Sequence, residues 1–239
     1  EYGCALAGLV IVTVNPAYRA DEVHYVLTQS KAAGLFVVPD FRGNPMLSVA
    51  QELHPNCPEL REITRFDQWA DFLATGDPET ELPVVDPGDP VMLQYTSGTT
   101  GNPKGVLFSH RSTVLHSFSI CHADATLALS SSTTVLPVVP MFHVHAWGIP
   151  YGAVMSGSKL VFAGAKLDGK SLYELFESER VTITAGVPTV WLGLIEYMKS
   201  AGKQFSHLDS IVIGGSAAPL SMIKDLEEGF GVSVMQAWG

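Results

Sequence analysis

Basic residues are scarce in this chain: 14 lysines and arginines stand against 24 aspartates and glutamates, a formal net charge of −10 over 239 residues. A nucleic-acid or anionic-membrane surface needs a basic stripe, so this balance argues against both. It leaves room for a small anion held by a few local donors. Cysteine is nearly missing too. Cys4, Cys57 and Cys121 are an odd number, far apart, with no C-x-x-C pair. A disulfide framework or a zinc site is therefore disfavoured, and a reducing, cytoplasmic setting is the expectation. No apolar run reaches the roughly 18 residues of a membrane span, and no basic segment followed by an apolar one marks a signal peptide at the start. Methionine is absent from position 1, and the chain stops just after a strand-like run. A fragment of a longer protein is expected.

What is present reads as a compact fold. Hydrophobic residues make up 46% and charged ones 16%, with 22 glycines and 15 prolines, a globular profile able to bury a sizeable core. Strand-like and helix-like blocks alternate. "LVIVTVNP", "GLFVVP", "VMLQYT", "TTVLPVVP", "KLVFA", "VTITAGVP", "SIVIGG" and "VSVMQAW" are strand candidates. Helical patterns fall over 21–31, from Ser109 (as its cap) to about Leu129, and near 144–156, 168–179, 188–201 and 219–229. This alternation predicts an α/β fold of stacked, mainly parallel sheets flanked by helices. The Pro- and Asp-rich run 77–90 reads as a connection, dividing the chain into portions 1–88 and 89–239. Ligands in such sheets gather beyond the carboxyl ends of strands.

One loop decides the function. "YTSGTTGNPKG", Tyr95 to Gly105, packs hydroxyls, glycines and one lysine between two apolar runs. As a linker it is too short and too tightly clamped, and it carries a lysine that a linker does not need. As a Walker A loop it fails, because that motif places Ser or Thr directly after its lysine, whereas here Gly105 follows Lys104 and the hydroxyls all precede it. An ATPase or kinase of the P-loop type is disfavoured for that reason. The chemistry of phosphate binding still fits. Gly98 and Gly101 permit a nest of N–H groups, Thr96, Ser97, Thr99 and Thr100 add hydroxyls, and Lys104 brings a mobile positive charge.

These residues resemble the signature loop of the AMP-forming acyl-CoA synthetases, in the adenylate-forming superfamily. "PMFHVHAWG", "GVPTVW", "GGSAAP" and "QAWG" follow in that family's order, so the likeness covers nearly the whole chain. It is strongest to long- and medium-chain fatty-acid ligases and methylmercaptopropionate-CoA ligases. The resemblance implies part of an adenylate-forming N-terminal domain, with ATP, Mg2+ and coenzyme A as reactants and a fatty or other apolar acid as substrate. Related enzymes are often dimers, so a homodimer is compatible with it. A catalytically inactive nucleotide-binding module is the non-enzyme alternative.

By match to the family, Thr96 contacts magnesium and residues Thr96, Ser97, Gly98, Thr99, Thr100 and Gly101, with Lys104, cradle phosphates. His143 borders the carboxylate, Trp147 gates the acyl tunnel and Val144 lines the site nearby. Gly215, Ser216 and Ala217 form a flat wall against adenine and acyl chain, and Gln236, Ala237 and Trp238 are the adenine-side strand. His145 receives no role. His116 is expected to be structural, and the stripe of Trp191, Leu194, Ile195 and Met198 to be core. The family continues past Gly239 with further catalytic groups, so the fragment alone is expected to be inactive.

Overall fold

The computed structural model describes residues 1–96 and 102–238. The chain divides into two compact units, Glu1–Arg111 and Ser112–Gly239. The fold is α/β, and among the described residues every strand pairing but one is parallel.

In the first unit the strands are β1 (Ile11–Val12), β2 (Gly34–Val37), β3 (Glu62–Arg65), β4 (Pro90–Thr96) and β5 (Lys104–Ser109). β2 and β3 form a parallel pair, while β1, β4 and β5 form a sheet with β4 in the centre. β4 and β5 are the antiparallel pair. Consecutive burial of Val91 and Met92 suits a central strand covered on both faces. The expected strand "LVIVTVNP" shrinks to two residues because its register reaches only Met92 and Leu93. The helix Ala20–Ser30 starts where acidic residues suggested, and the Arg19 N–H donates to a Glu22 carboxylate oxygen at 2.9 Å. That bond satisfies a backbone donor at the helix entrance.

The second unit holds β6 (Thr134–Pro137), β7 (Lys159–Leu160), β8 (Ile183–Gly186), β9 (Ser210–Ile213) and β10 (Ser233–Gln236), in the order β10-β9-β8-β6-β7, all parallel. From β6 the chain runs outward to β7, and from β8 it runs the other way to β9. The switch point of this sheet therefore lies between the carboxyl ends of β6 and β8, where open α/β sheets bind ligands. The helix Gly169–Glu179 begins with Asp168, whose carboxylate accepts the Ser171 N–H at 3.0 Å. That bond holds the Asp168 carboxyl below the usual carboxylate range.

Two expected helices needed correction. The helix predicted from a cap at Ser109 to about Leu129 starts at His110 as expected, directly after Ser109 closes β5, but ends at Ile120. Beyond Ile120 the His122 ring accepts the Asp124 N–H at 3.3 Å, offering the backbone an alternative to the helix, and Leu127 and Leu129 turn into the core. The helix expected from 144 starts only at Ile149.

The core under the five-stranded sheet joins Leu136, Ile211 and Ile213 to Phe176, Leu194, Met198 and Trp191. Trp191, Leu194, Ile195 and Met198 are buried, as their spacing predicted. Replacing Trp191 by Ala should cost about 3–5 kcal/mol, read from denaturant unfolding. A loss under about 1 kcal/mol would show that this stripe does not carry the core. No helix among the described residues is long and apolar enough to cross a membrane.

Candidate functional site

The β4–β5 hairpin positions the first group of predicted residues. Its register sets Tyr95 opposite Gly105 and Thr96 opposite Lys104. Directly opposed residues share a face of an antiparallel ladder, so the Thr96 hydroxyl and the Lys104 side chain leave the same face at the hairpin's mouth. The Thr96 Oγ1 hydroxyl also donates to the Lys104 carbonyl at 3.4 Å. Lys104 is exposed and opens a strand, where the sequence suggested a loop. The apolar run Val106, Leu107 and Phe108 extends pairing back to it. Ser97, Gly98, Thr99, Thr100 and Gly101 lie outside the described residues.

The second group gathers at one edge of the parallel sheet. Register pairs Pro137 with Ala185, Gly186 with Ile213, and Ile213 with Gln236, so the four motif loops leave the sheet side by side. After β6, the chain winds left-handed through Val144, His145, Ala146, Trp147 and Gly148, with φ of 50, 42, 47, 58 and 72°. Each non-glycine residue in that conformation costs about 1–2 kcal/mol, and a β-branched valine there is exceptional. Such strain persists only where the surroundings over-determine it, commonly at functional sites. Here the turn buries His145 and Ala146 while leaving His143 and Val144 exposed. His143 and His145 thus face apart, one outward and one into the core.

His116 holds this turn from the helix His110–Ile120. Its Nε2–H donates to the Trp147 carbonyl at 3.0 Å, which fixes the tautomer. Gly148 is needed twice over: its φ is positive, and a Cβ there would stand 2.5 Å from His116 Cδ2. The Trp147 indole lies against Gly214, where an added Cβ would meet Cη2 at 2.6 Å.

Gly215, Ser216 and Ala217 are exposed in the turn that follows β9. Gln236 holds this turn: its Oε1 accepts the Ala218 N–H at 2.9 Å, and its Nε2 donates towards Ala237 O at 2.9 Å, Ile213 O at 3.2 Å and Ser216 O at 3.3 Å. Ala237 packs with Trp147 against the neighbouring core cluster. Trp238 is 94% exposed, its ring open for stacking.

The sequence marked His116 as structural without showing that it supports Trp147, and it missed Gly214 as the seat of that ring. Each contact joins distant residues, and spacing carries no signal for either.

No group of three or more His, Cys, Asp or Glu side chains placed to hold a metal occurs among the described residues. A magnesium ion bound through phosphate oxygens and waters needs only one or two protein ligands. The Thr96 hydroxyl at the hairpin mouth fits as one of them.

The AMP-binding enzyme family model matches residues 1–239. The chain is 41% identical over 252 residues to the medium-chain-fatty-acid–CoA ligase of Ectopseudomonas oleovorans, covering all of this chain and 45% of that protein. It is 42% identical over 247 residues to the 3-methylmercaptopropionyl-CoA ligase of Ruegeria pomeroyi, covering all of this chain and 46% of that protein. It therefore spans a little under half the length of these curated relatives. The inhibitor-bound N-terminal domain of FACL13 from Mycobacterium tuberculosis superposes with a TM-score of 0.86 at 26% identity, covering all of this chain and 58% of that one. On this family match and the shared fold, the chain belongs to the AMP-binding enzymes.

Proposed function

We propose that the full-length protein is an acid–thiol ligase that activates a fatty acid with ATP and transfers the acyl group to coenzyme A. A carboxylate oxygen of the acid attacks the α-phosphorus of ATP, the bond to the β-phosphate oxygen breaks, and pyrophosphate leaves. The thiol sulfur of coenzyme A then attacks the acyl carbon, AMP departs and the thiol proton passes to solvent. The observation that carries this reading is the gathering of four motif loops at one sheet edge beside its switch point.

The first step brings two anions together, so neutralising charge is the protein's task. Lys104 supplies a positive charge to the phosphates, and the Thr96 hydroxyl shares its face of the hairpin. Magnesium, when bound, screens phosphate charge as it redistributes. Gly215, Ser216 and Ala217 offer small side chains to the adenine and the acyl chain, and Gln236 keeps them in place. Ala237 and Trp238 complete the adenine side. His143 and Val144, exposed on the strained turn, border the carboxylate.

Trp147 governs entry of the acid in this reading. Replacing it by Ala should shift the preferred acid chain length, with kcat/KM ratios between acids changing about tenfold and KM for ATP nearly constant. If only the ATP parameter moves, the gate assignment is wrong. In the same reading, residues 1–88 and 89–239 are portions of two subdomains, and the enzyme is cytoplasmic.

A panel of acids of graded length in ATP–pyrophosphate exchange tests the function. Exchange that depends on an added fatty acid supports it, and phosphate release without any acid overturns it. The likeness to the Ruegeria ligase favours a thioether acid as second reading, and the same panel with methylmercaptopropionate added decides between them. ATP binding without exchange would indicate a nucleotide-binding module.

A further inference from the structure

We propose that Tyr25, on the helix Ala20–Ser30, is a positioning residue that pins the carbonyl of Pro103 and so sets Lys104 against Thr96 at the mouth of the hairpin. The Tyr25 hydroxyl donates to Pro103 O at 2.9 Å, across 78 positions of sequence. Proline has no N–H, so this carbonyl is its sole backbone polar group, and Tyr25 satisfies it. The position matters because the antiparallel ladder ends with the pair Thr96–Lys104. Pro103 is the first residue past the last rung on that strand, where fraying begins unless something outside the ladder holds the chain.

The same helix face holds the other stem. Tyr95, one residue before Thr96, donates its hydroxyl to Gln29 Oε1. Gln29 stands four residues after Tyr25, the spacing that puts two side chains on one helix face. The Tyr25 and Tyr95 rings meet edge to face, with centroids 6.2 Å apart and planes at 71°, a favoured aromatic geometry. A phenol keeps its proton at neutral pH, and burial pushes that of Tyr95 up further from its ordinary value. Tyr25 and Gln29 therefore grip the residue before Thr96 and the residue before Lys104. One helix face spaces the two groups that meet the phosphates.

The catalytic part of this inference rests on the ligase reading; the latch itself rests on the contacts alone. Tyr25→Phe removes the hydroxyl and keeps the ring, so the fold is retained. Two measurements on the full-length protein separate the parts. In limited trypsin digestion, the Lys104–Gly105 bond of Tyr25→Phe should be cut about three- to tenfold faster, the range set by losing one neutral hydrogen bond. Cleavage after Lys203 should stay unchanged. In acid-dependent ATP–pyrophosphate exchange, kcat should fall about tenfold while KM for the acid holds, a split that general loosening of the fold would not produce.

Equal cleavage of the variant and the unsubstituted protein at Lys104 overturns the latch. Faster cleavage with unchanged kcat overturns the positioning role. Absence of acid-dependent exchange in the unsubstituted protein overturns the ligase reading and the catalytic part with it, and the digestion then still decides the latch.

Discussion

Replacing Lys104 by alanine in the full-length protein should lower acid-dependent ATP–pyrophosphate exchange by about 10²–10³-fold, with the thermal midpoint nearly unmoved. The magnitude is that of removing one well-placed donor from a developing charge. Adenylation presses an acid anion against a polyphosphate, and Lys104 is the positive charge nearest the hydroxyl-rich stretch in sequence. Its side chain is exposed at the start of β5 and shares a face with Thr96. Stability should therefore be indifferent to it, since exposed side chains away from caps and ion pairs seldom matter by more than about 0.5 kcal/mol. Lys104→Arg should restore little, because a guanidinium presents a broad fork where a compact ammonium is expected. Exchange within threefold of the unsubstituted protein would remove Lys104 from the mechanism.

Replacing Gly214 by alanine should drive the Trp147 indole from its place at the sheet edge. The new Cβ would stand 2.6 Å from Cη2 and 2.8 Å from Cζ2 of Trp147, and backbone Ala237 O at 3.6 Å limits escape the other way. The indole has to leave its seat. Overpacking of this kind costs about 1–3 kcal/mol, and displacing the ring should alter acid selectivity in the same direction as Trp147→Ala. The pair offers an internal control. In a Trp147→Ala background the two close contacts are gone and Ala237 O at 3.6 Å is an ordinary contact, so Gly214→Ala should cost far less there, and the two single effects should fail to add by more than about 1 kcal/mol. Additive costs would show that the indole does not rest on Gly214.

The sequence was informative wherever local chemistry dictates local structure. The helix Ala20–Ser30 follows from its acidic first turn, and Pro188–Ala201 from the apolar stripe of Trp191, Leu194, Ile195 and Met198. The strands of the second unit follow from short apolar runs between turns. The loops after Pro140, Ala185, Gly214 and Gln236 were expected to carry ligands because parallel strands expose their carboxyl ends together, and the register sets the strand ends before them side by side. Where the sequence misled, long-range packing had overruled propensity. "VHAWG" has the spacing of a helix start, yet it winds left-handed because burying Ala146, seating Trp147 on Gly214 and bonding Trp147 O to His116 outweigh the backbone strain.

By itself, then, the sequence determined the alternation of strands and helices, and the order of hydroxyls before lysine that separates this loop from a Walker motif. It also determined the family, since those features are written in contiguous residues. Only the tertiary structure decided that Lys104 faces Thr96 across a hairpin and that Tyr25 holds Pro103. It alone decided that His145 turns inward while His143 stays out, and that Gln236 braces the turn after β9. Each of these is a contact between residues tens of positions apart or a choice of backbone handedness. Such choices follow from the burial and pairing that the whole unit makes available, and no window of neighbouring residues contains them.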